Sequence, residues 1–181
     1  MAMNLELKKF DMSQITDNSV VVLIGKRDTG KSYLCRDILH THRSIPVGQV
    51  ISGTEGANQF YQQIVPKLFI HDEFRTDIVQ NMLKRQKLMI EKKNGGSINT
   101  DERAFLILDD CLYDNSWAKD KYMRSVFMNG RHYKLLFLLT MQYALGIPPN
   151  LRTNIDYVFI LRENYVSNRK RLYEHYAGMF P

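Results

Sequence analysis

Two cysteines are all that the 181 residues contain, and they stand far apart as Cys35 and Cys111. That count leaves no disulfide framework and no cluster of thiols with metal-site spacing. It suits a reducing compartment with both thiols buried or half-buried. Long apolar runs are missing as well. The longest, such as residues 135–139, have the length of a strand, so no membrane span is expected. The first ten residues carry one glutamate and two lysines without an apolar stretch, which argues against a secretory leader and against secretion. There is no internal repeat. Acidic residues are in deficit: 19 Asp and Glu face 25 Lys and Arg, for a net charge of +6 and a pI near 9.3. A polyanionic partner would suit that balance, although charge speaks to association rather than to fold.

What is present is an alternation. Apolar runs of strand length occupy residues 20–24, 49–52, 67–71, 104–108, 135–140 and 157–161, several of them apolar throughout. Strands covered on both faces of a parallel sheet read this way. Between them, residues 31–41, 58–64, 76–92 and 119–131 have helical spacing or helix-favouring content. The expectation is a doubly wound α/β fold with right-handed crossovers, in one domain over residues 1–181. Residues 1–18 form an N-terminal extension, and the polar, glycine-bearing stretch 94–103 reads as a flexible loop.

The run Val20–Ile24 leads into Gly25-Lys26-Arg27-Asp28-Thr29-Gly30-Lys31-Ser32. This matches the phosphate-binding pattern G-x-x-x-x-G-K-[ST] at every fixed position, between a strand and a helix as the chemistry requires. The glycines let the backbone N–H groups curl toward phosphate oxygens. Lys31 supplies a point charge for the β- and γ-phosphates, and the Ser32 hydroxyl can ligate Mg²⁺. Tyr33 follows in the first turn of the helix, whose positive end adds to anion binding. Gly25 through Tyr33 are therefore the candidate nucleotide-binding residues.

A phosphate loop needs a partner. Residues 105–110 are an apolar strand ending in Asp109 and Asp110. Asp109 would hold the Mg²⁺ shell at the strand's carboxyl end, and Asp110 would orient or deprotonate an attacking water. A strand that merely ends in a solvated acidic turn is the plain alternative. Residues 68–73 also end in two acids, Asp72 and Glu73. There His71 interrupts the run and Pro66 precedes it, which suits an edge strand rather than the metal site. The run 135–140 ends in Thr140-Met141-Gln142, where Gln142 could bond the γ-phosphate or the water. Arg131, in Gly130-Arg131-His132, and Arg152 are candidates for an arginine that stabilises transition-state charge on a neighbouring subunit's nucleotide.

Taken together, the phosphate loop, Asp109-Asp110, Gly130-Arg131-His132, Thr140-Met141-Gln142 and the segment Leu151-Arg152-Thr153-Asn154-Ile155-Asp156-Tyr157-Val158-Phe159 resemble the poxvirus-type genome-packaging ATPases of large nucleocytoplasmic DNA viruses. These form a branch of the FtsK–HerA superfamily, and the likeness runs over residues 20–180. The resemblance implies a RecA-like P-loop NTPase, with a mainly parallel sheet in a three-layer αβα sandwich. It also implies a ring-shaped homo-oligomer that uses ATP and Mg²⁺ to drive double-stranded DNA into a capsid, meeting portal or vertex proteins. The location would be the host cytoplasm, at viral assembly sites, or the virion. Carried onto this chain, Lys31 and Ser32 take phosphate and Mg²⁺, and Asp109 serves the metal. Asp110 takes the place of the catalytic carboxylate, Gln142 senses the γ-phosphate, and Arg131 leads Arg152 as the trans arginine. The wider superfamily usually carries Glu where Asp110 stands, one methylene longer. The chain also ends soon after the 173–180 segment, earlier than the resemblance implies, so a truncation after residue 181 is an expectation.

Two rivals stay open: a P-loop kinase acting on a nucleotide or small metabolite, and a nucleotide-dependent assembly switch. The basic residues do not decide between them. Lys84, Arg85, Lys87, Lys92 and Lys93 share one expected helix and Arg169, Lys170 and Arg171 cluster later, but charge runs of this kind are ordinarily solvated faces.

Overall fold

A computed structural model of the chain describes residues 6, 8–96, 99–113, 116–143 and 146–178. Its strands are β1 (Val20–Ile24), β2 (Gly48–Ser52), β3 (Ile70–His71), β4 (Ala104–Asp109), β5 (Leu135–Met141) and β6 (Tyr157–Ile160). They form one sheet in the order β3-β2-β4-β5-β1-β6 with every neighbouring pair parallel. The helices are α1 (Lys31–Thr41), α2 (Glu55–Asn58), α3 (Thr76–Asn94), α4 (Lys121–Asn129), α5 (Pro149–Arg152) and α6 (Val166–Leu172).

Successive side chains of a strand point to opposite faces, so a continuous apolar run must be covered twice. Val21 and Leu23 of β1 and Leu136 and Leu138 of β5 face α1, where they meet Cys35 and Ile38. Val20, Val22, Leu135 and Phe137 face the other way, onto Val79 and Met82 of α3 and Val126 and Phe127 of α4. Burying each such side chain contributes roughly 1.5–3 kcal/mol. The result is the expected three-layer αβα sandwich of a RecA-like P-loop NTPase.

Several boundaries differ from the sequence reading, each for a local reason. Of residues 67–71, only Ile70 and His71 pair, with Val50 and Ile51 of β2 at the sheet's edge. Pro66 instead starts a 3₁₀ turn over Lys67–Phe69. The helix expected over 58–64 is broken. α2 ends where Gln59 turns left-handed at φ 49°, and a separate 3₁₀ turn follows at Tyr61–Gln63. The Asn58 side chain caps Phe60 N–H at 3.1 Å there, in competition with a continued helix. The helix expected from 119 begins at Lys121, because Asp120 accepts from the N–H groups of Tyr122 and Met123 and serves as its N-cap.

Within 94–103, residues 97 and 98 lie outside the described set, and the segment's far end is tied down. Arg103 pairs with Asp101 and Asp17, and Glu102 pairs with Lys93. Of the extension 1–18, residues 1–5 and 7 lie outside the described set, and Met12–Gln14 forms a 3₁₀ turn capped by Asp11. Met179, Phe180 and the chain end expected to be a truncation point also lie outside it.

Candidate functional site

Parallel order brings the carboxyl ends of β1, β4 and β5 side by side, with β5 in the middle. The phosphate loop, the two aspartates and Gln142 thus share one edge of the sheet. Gly25 leaves β1 with its N–H on the Met141 carbonyl, 3.0 Å away. A Cβ there would sit 2.9 Å from Leu161 Cβ and 2.7 Å from Thr29 Oγ1, so the close approach requires glycine. Asp28 (φ 59°) and Gly30 (φ 93°) are left-handed, which curls the loop before Gly30 caps α1. Thr29 Oγ1 closes the turn by donating to the Lys26 carbonyl at 2.8 Å.

Lys31 is buried, and its ammonium donates to the carbonyls of Gly25 (2.8 Å) and Lys26 (2.7 Å). Burial pushes it below the ordinary lysine range, against the opposing pull of Asp110, Asp109 and Asp28. Lys26 is drawn outward: it pairs with Glu163 at 3.2 Å and lies 3.6 Å over the Tyr165 ring. The segment after β6 therefore clasps the loop from outside. Arg27 lines a cleft of about 450 Å³ together with Asp110, Gln142, Tyr113 and Tyr143. Tyr33 is exposed, with the Arg36 guanidinium 4.8 Å over its ring.

Asp109 is 2% exposed and accepts three hydroxyls. Ser32 Oγ (2.8 Å) and Tyr61 OH (2.9 Å) both donate to Oδ2, and Thr140 Oγ1 (2.7 Å) donates to Oδ1. Buried charge is tolerated when its lone pairs are satisfied in this way. Asp110 turns left-handed at φ 48°, which swings its side chain toward the cleft rather than along the strand. Its N–H donates to Thr140 Oγ1 at 3.0 Å, and its Oδ1 accepts from Gln142 Nε2 at 2.6 Å. Thr140 is thus a hinge pin between the two aspartates. Cys111, next in the chain, is pushed up to about 12 by burial and stays a thiol.

The two arginines lie elsewhere. Arg131 sits where β5 begins, at the amino edge, and pairs with Asp156. Asp156 also accepts the Val20 N–H at 2.8 Å, so the Gly-Arg-His and Asn-Ile-Asp segments meet as a clasp across the start of β1. Arg152 donates to the Ile147 carbonyl (3.1 Å), bonds His175 (2.8 Å) and lies 5.3 Å over the Tyr176 ring. Within the chain, neither comes to the phosphate loop. Arg171 of α6 does come near: it lines a smaller cleft with Gly25, Gln142 and Glu163.

Sequence reasoning missed Tyr61, Glu55 and the Glu163–Tyr165 clasp. Glu55 was findable, as an acid just past the carboxyl end of a parallel strand. Tyr61 carried no signal, because only the broken helix brings its hydroxyl to Asp109.

Ser32 and Asp109 are hard oxygen donors, and Mg²⁺ commonly takes one or two such protein ligands and completes its octahedron with phosphates and waters. Among the described residues no three His, Cys, Asp or Glu side chains gather as a free-standing metal site. The Ser32 and Asp109 oxygens are of the donor type that Mg²⁺ takes. Among the described residues, too, no helix is long and apolar enough to cross a membrane.

No protein-family model matches the chain. It is 46% identical over 179 residues to uncharacterized protein 075L of Invertebrate iridescent virus 6, covering 98% of this chain and 67% of that protein. It is 42% identical over 180 residues to uncharacterized protein L437 of Acanthamoeba polyphaga mimivirus, covering 97% and 63%. The chain thus spans about two thirds of the length of these relatives. Among solved structures, the genome packaging NTPase B204 from Sulfolobus turreted icosahedral virus 2 in complex with AMPPCP superimposes with a TM-score of 0.62. The sequences are 18% identical, with 91% of this chain and 85% of that one covered. EssC (ATPases 2 and 3) from Geobacillus thermodenitrificans gives 0.61 at 16% identity, covering 86% and 34%. At these identities the likeness speaks to fold, and the fold it shows is that of the P-loop ATPases.

Proposed function

This chain belongs to the family of viral proteins that includes 075L of Invertebrate iridescent virus 6, and from that premise we propose that it is the ATP-hydrolysing motor domain of a genome-packaging machine. The observation that carries the reading is the joining of three motifs at one sheet edge. Ser32 bonds Asp109, and Asp110 bonds Gln142, where β4 and β5 end beside the phosphate loop that follows β1. A domain of the same fold, B204, is a viral genome packaging NTPase, which supports the packaging role over the kinase and the assembly switch.

In this reading residues 1–181 form one ATPase domain. The N–H groups of residues 25–33 and the Lys31 ammonium hold the phosphates, with Lys31 exchanging its loop carbonyls for phosphate oxygens. Ser32 and Asp109 hold Mg²⁺, which when bound neutralises charge on the phosphates. Asp110 orients the attacking water and accepts its proton. Gln142, bonded to that carboxylate, reports whether a γ-phosphate is present by moving between Asp110 and the phosphate. Most of the catalysis comes from positioning and charge complementarity. Arg131 has an exposed side chain despite its bond to Asp156, and it would serve a neighbouring subunit's nucleotide by giving up that pair. Arg152, committed to Ile147 and His175, stands second. The proposed assembly is a homo-oligomeric ring of the poxvirus type, working on double-stranded DNA at a capsid portal or vertex in the host cytoplasm or virion.

The test is ATP hydrolysis by wild type and Lys31→Ala, with and without long double-stranded DNA, with oligomeric state recorded alongside. Turnover that rises with DNA and assembly, and vanishes in the variant, upholds the motor. Turnover that requires a small phosphate acceptor would replace it with the kinase, and nucleotide-driven assembly without hydrolysis would replace it with the switch.

A further inference from the structure

We propose that Tyr61 is a positioning residue for Asp109, fixing the carboxylate oxygen that also receives the Ser32 hydroxyl and thereby setting how tightly Mg²⁺ is held with the nucleotide. The inference rests on the ATPase reading above. Three hydroxyls reach Asp109 from three different elements. Ser32 comes from α1, Thr140 from β5, and Tyr61 from the 3₁₀ turn after β2. The first two lie in segments that carry nucleotide-site motifs. Tyr61 lies in none.

A phenol at this place needs a reason. The ring is 1% exposed and packed edge-on against Phe60, with centroids 5.1 Å apart. Phenylalanine would fill that space without bringing a hydroxyl into the interior, where an unpaired one is costly. What the hydroxyl adds is a second donor to Asp109 Oδ2, 2.9 Å away, beside Ser32 Oγ at 2.8 Å. If the Ser32 lone pair turns to a cation, its proton still needs a fixed acceptor, and Oδ2 is that acceptor. With Thr140 holding Oδ1 as well, the carboxylate cannot rotate without breaking a bond at each oxygen.

Tyr61 is itself held in place. The buried Glu55 carboxylate accepts the Tyr61 N–H through Oε2 and the Gln62 N–H through Oε1, both at 3.0 Å. This locks the turn that aims the ring, an otherwise unexplained use of a buried charge.

The experiment is a binding titration of a fluorescent ATP analogue against Mg²⁺, for wild type, Lys31→Ala, Tyr61→Phe and Glu55→Gln, repeated in EDTA. For Tyr61→Phe the half-saturating Mg²⁺ should rise about 10-fold, in line with the loss of groups that orient a metal ligand. Its affinity in EDTA should stay within about twofold of wild type, and Mn²⁺, which binds oxygen and nitrogen sites more tightly, should restore binding. An unchanged Mg²⁺ requirement overturns the proposal, as does an equal loss with and without Mg²⁺, which would mean a packing role only. Should Tyr61→Phe fail to fold in a thermal melt, Glu55→Gln decides by the same titration. A raised Mg²⁺ requirement upholds the role and an unchanged one overturns it. If wild type itself shows no Mg²⁺-dependent binding that Lys31→Ala abolishes, the ATPase reading falls and takes this inference with it. If it does and the Tyr61 variant matches it, only Tyr61 falls.

Discussion

The two ends of the same sheet use charge in opposite ways. At the carboxyl edge Lys31, Glu55 and Asp109 are buried, and their partners are carbonyls, N–H groups and hydroxyls. At the amino edge Arg131, Asp156, Arg103, Asp101 and Asp17 are charges that pair with opposite charges nearer to solvent. Backbone strain follows the same division. Of the four non-glycine residues with positive φ among those described, Asp28, Gln59 and Asp110 follow the carboxyl ends of β1, β2 and β4. Lys134, which precedes β5, is the exception. Strained backbone and buried charge each cost of order 1 kcal/mol or more and persist where the surroundings over-determine them. The lesson is that buried charge at one edge is satisfied by neutral donors and acceptors, whereas charges nearer to solvent at the other edge satisfy one another.

Breaking the carboxyl edge should have the largest effect. Lys31→Ala is expected to lower ATP turnover on the order of 10²–10³-fold, the magnitude seen when one charge-stabilising donor is removed. Thermal stability should hold or rise, because a desolvated ammonium has been removed; phosphate release and a melting curve on the same sample check both. Asp109→Asn should come next. It turns an acceptor for three hydroxyls into a group with a donor end, at about 1–3 kcal/mol of stability, and it should abolish Mg²⁺-dependent nucleotide binding. Equilibrium urea unfolding and nucleotide titration read the two losses separately. A stable, active Asp109→Asn would show that the buried hydroxyl cluster is packing and nothing more.

Arg131→Ala sharpens the contrast from the other edge. As a structural clasp, an exposed ion pair of this kind is worth up to about 1 kcal/mol, and turnover per folded molecule would not change. As a trans arginine its loss should lower turnover in the assembled ring by about 10³-fold or more, while the isolated subunit's nucleotide affinity stays put. Mixing Arg131→Ala with Lys31→Ala subunits distinguishes the two. Partial recovery of activity at mixed interfaces requires a trans residue, and none is expected from a clasp.

Much of this division was legible in the sequence because periodicity and motif spacing are local. The apolar runs at residues 20–24 and 135–140 announce strands buried on both faces, and the phosphate pattern places itself at a carboxyl end. Asp109 and Gln142 follow from where their strands stop. What was not legible depends on tertiary register. Arg131 reads as a catalytic candidate from its motif, and only the parallel pairing of β1 with β5 and β6 puts it at the amino edge beside Asp156. Tyr61 is hidden for a similar reason. Its place depends on Gln59 turning left-handed and on Glu55 capturing two N–H groups, neither of which is coded by helical spacing.

The smallest expected effect is a pH response confined to the amino edge. Hydrogen bonds from Arg103 hold the Asp101 carboxyl down at about 2. Such a depressed carboxylate contributes stability that is fully present above its unfolded value, near 3.8, and is lost as pH falls through the folded value. The loss should therefore appear between about pH 4 and pH 2. Because each side chain is still about one third exposed and open to solvent screening, the pair's worth is under about 1 kcal/mol. Thermal melts of wild type and Asp101→Asn should differ slightly at neutral pH and converge toward pH 2. Convergence fits a surface tether whose strength is set by one titrating carboxylate. A gap that persists at pH 2 would mean that Asp101 holds the loop by something other than its charge, and the amino edge would then owe less to charge than the comparison of the two edges implies.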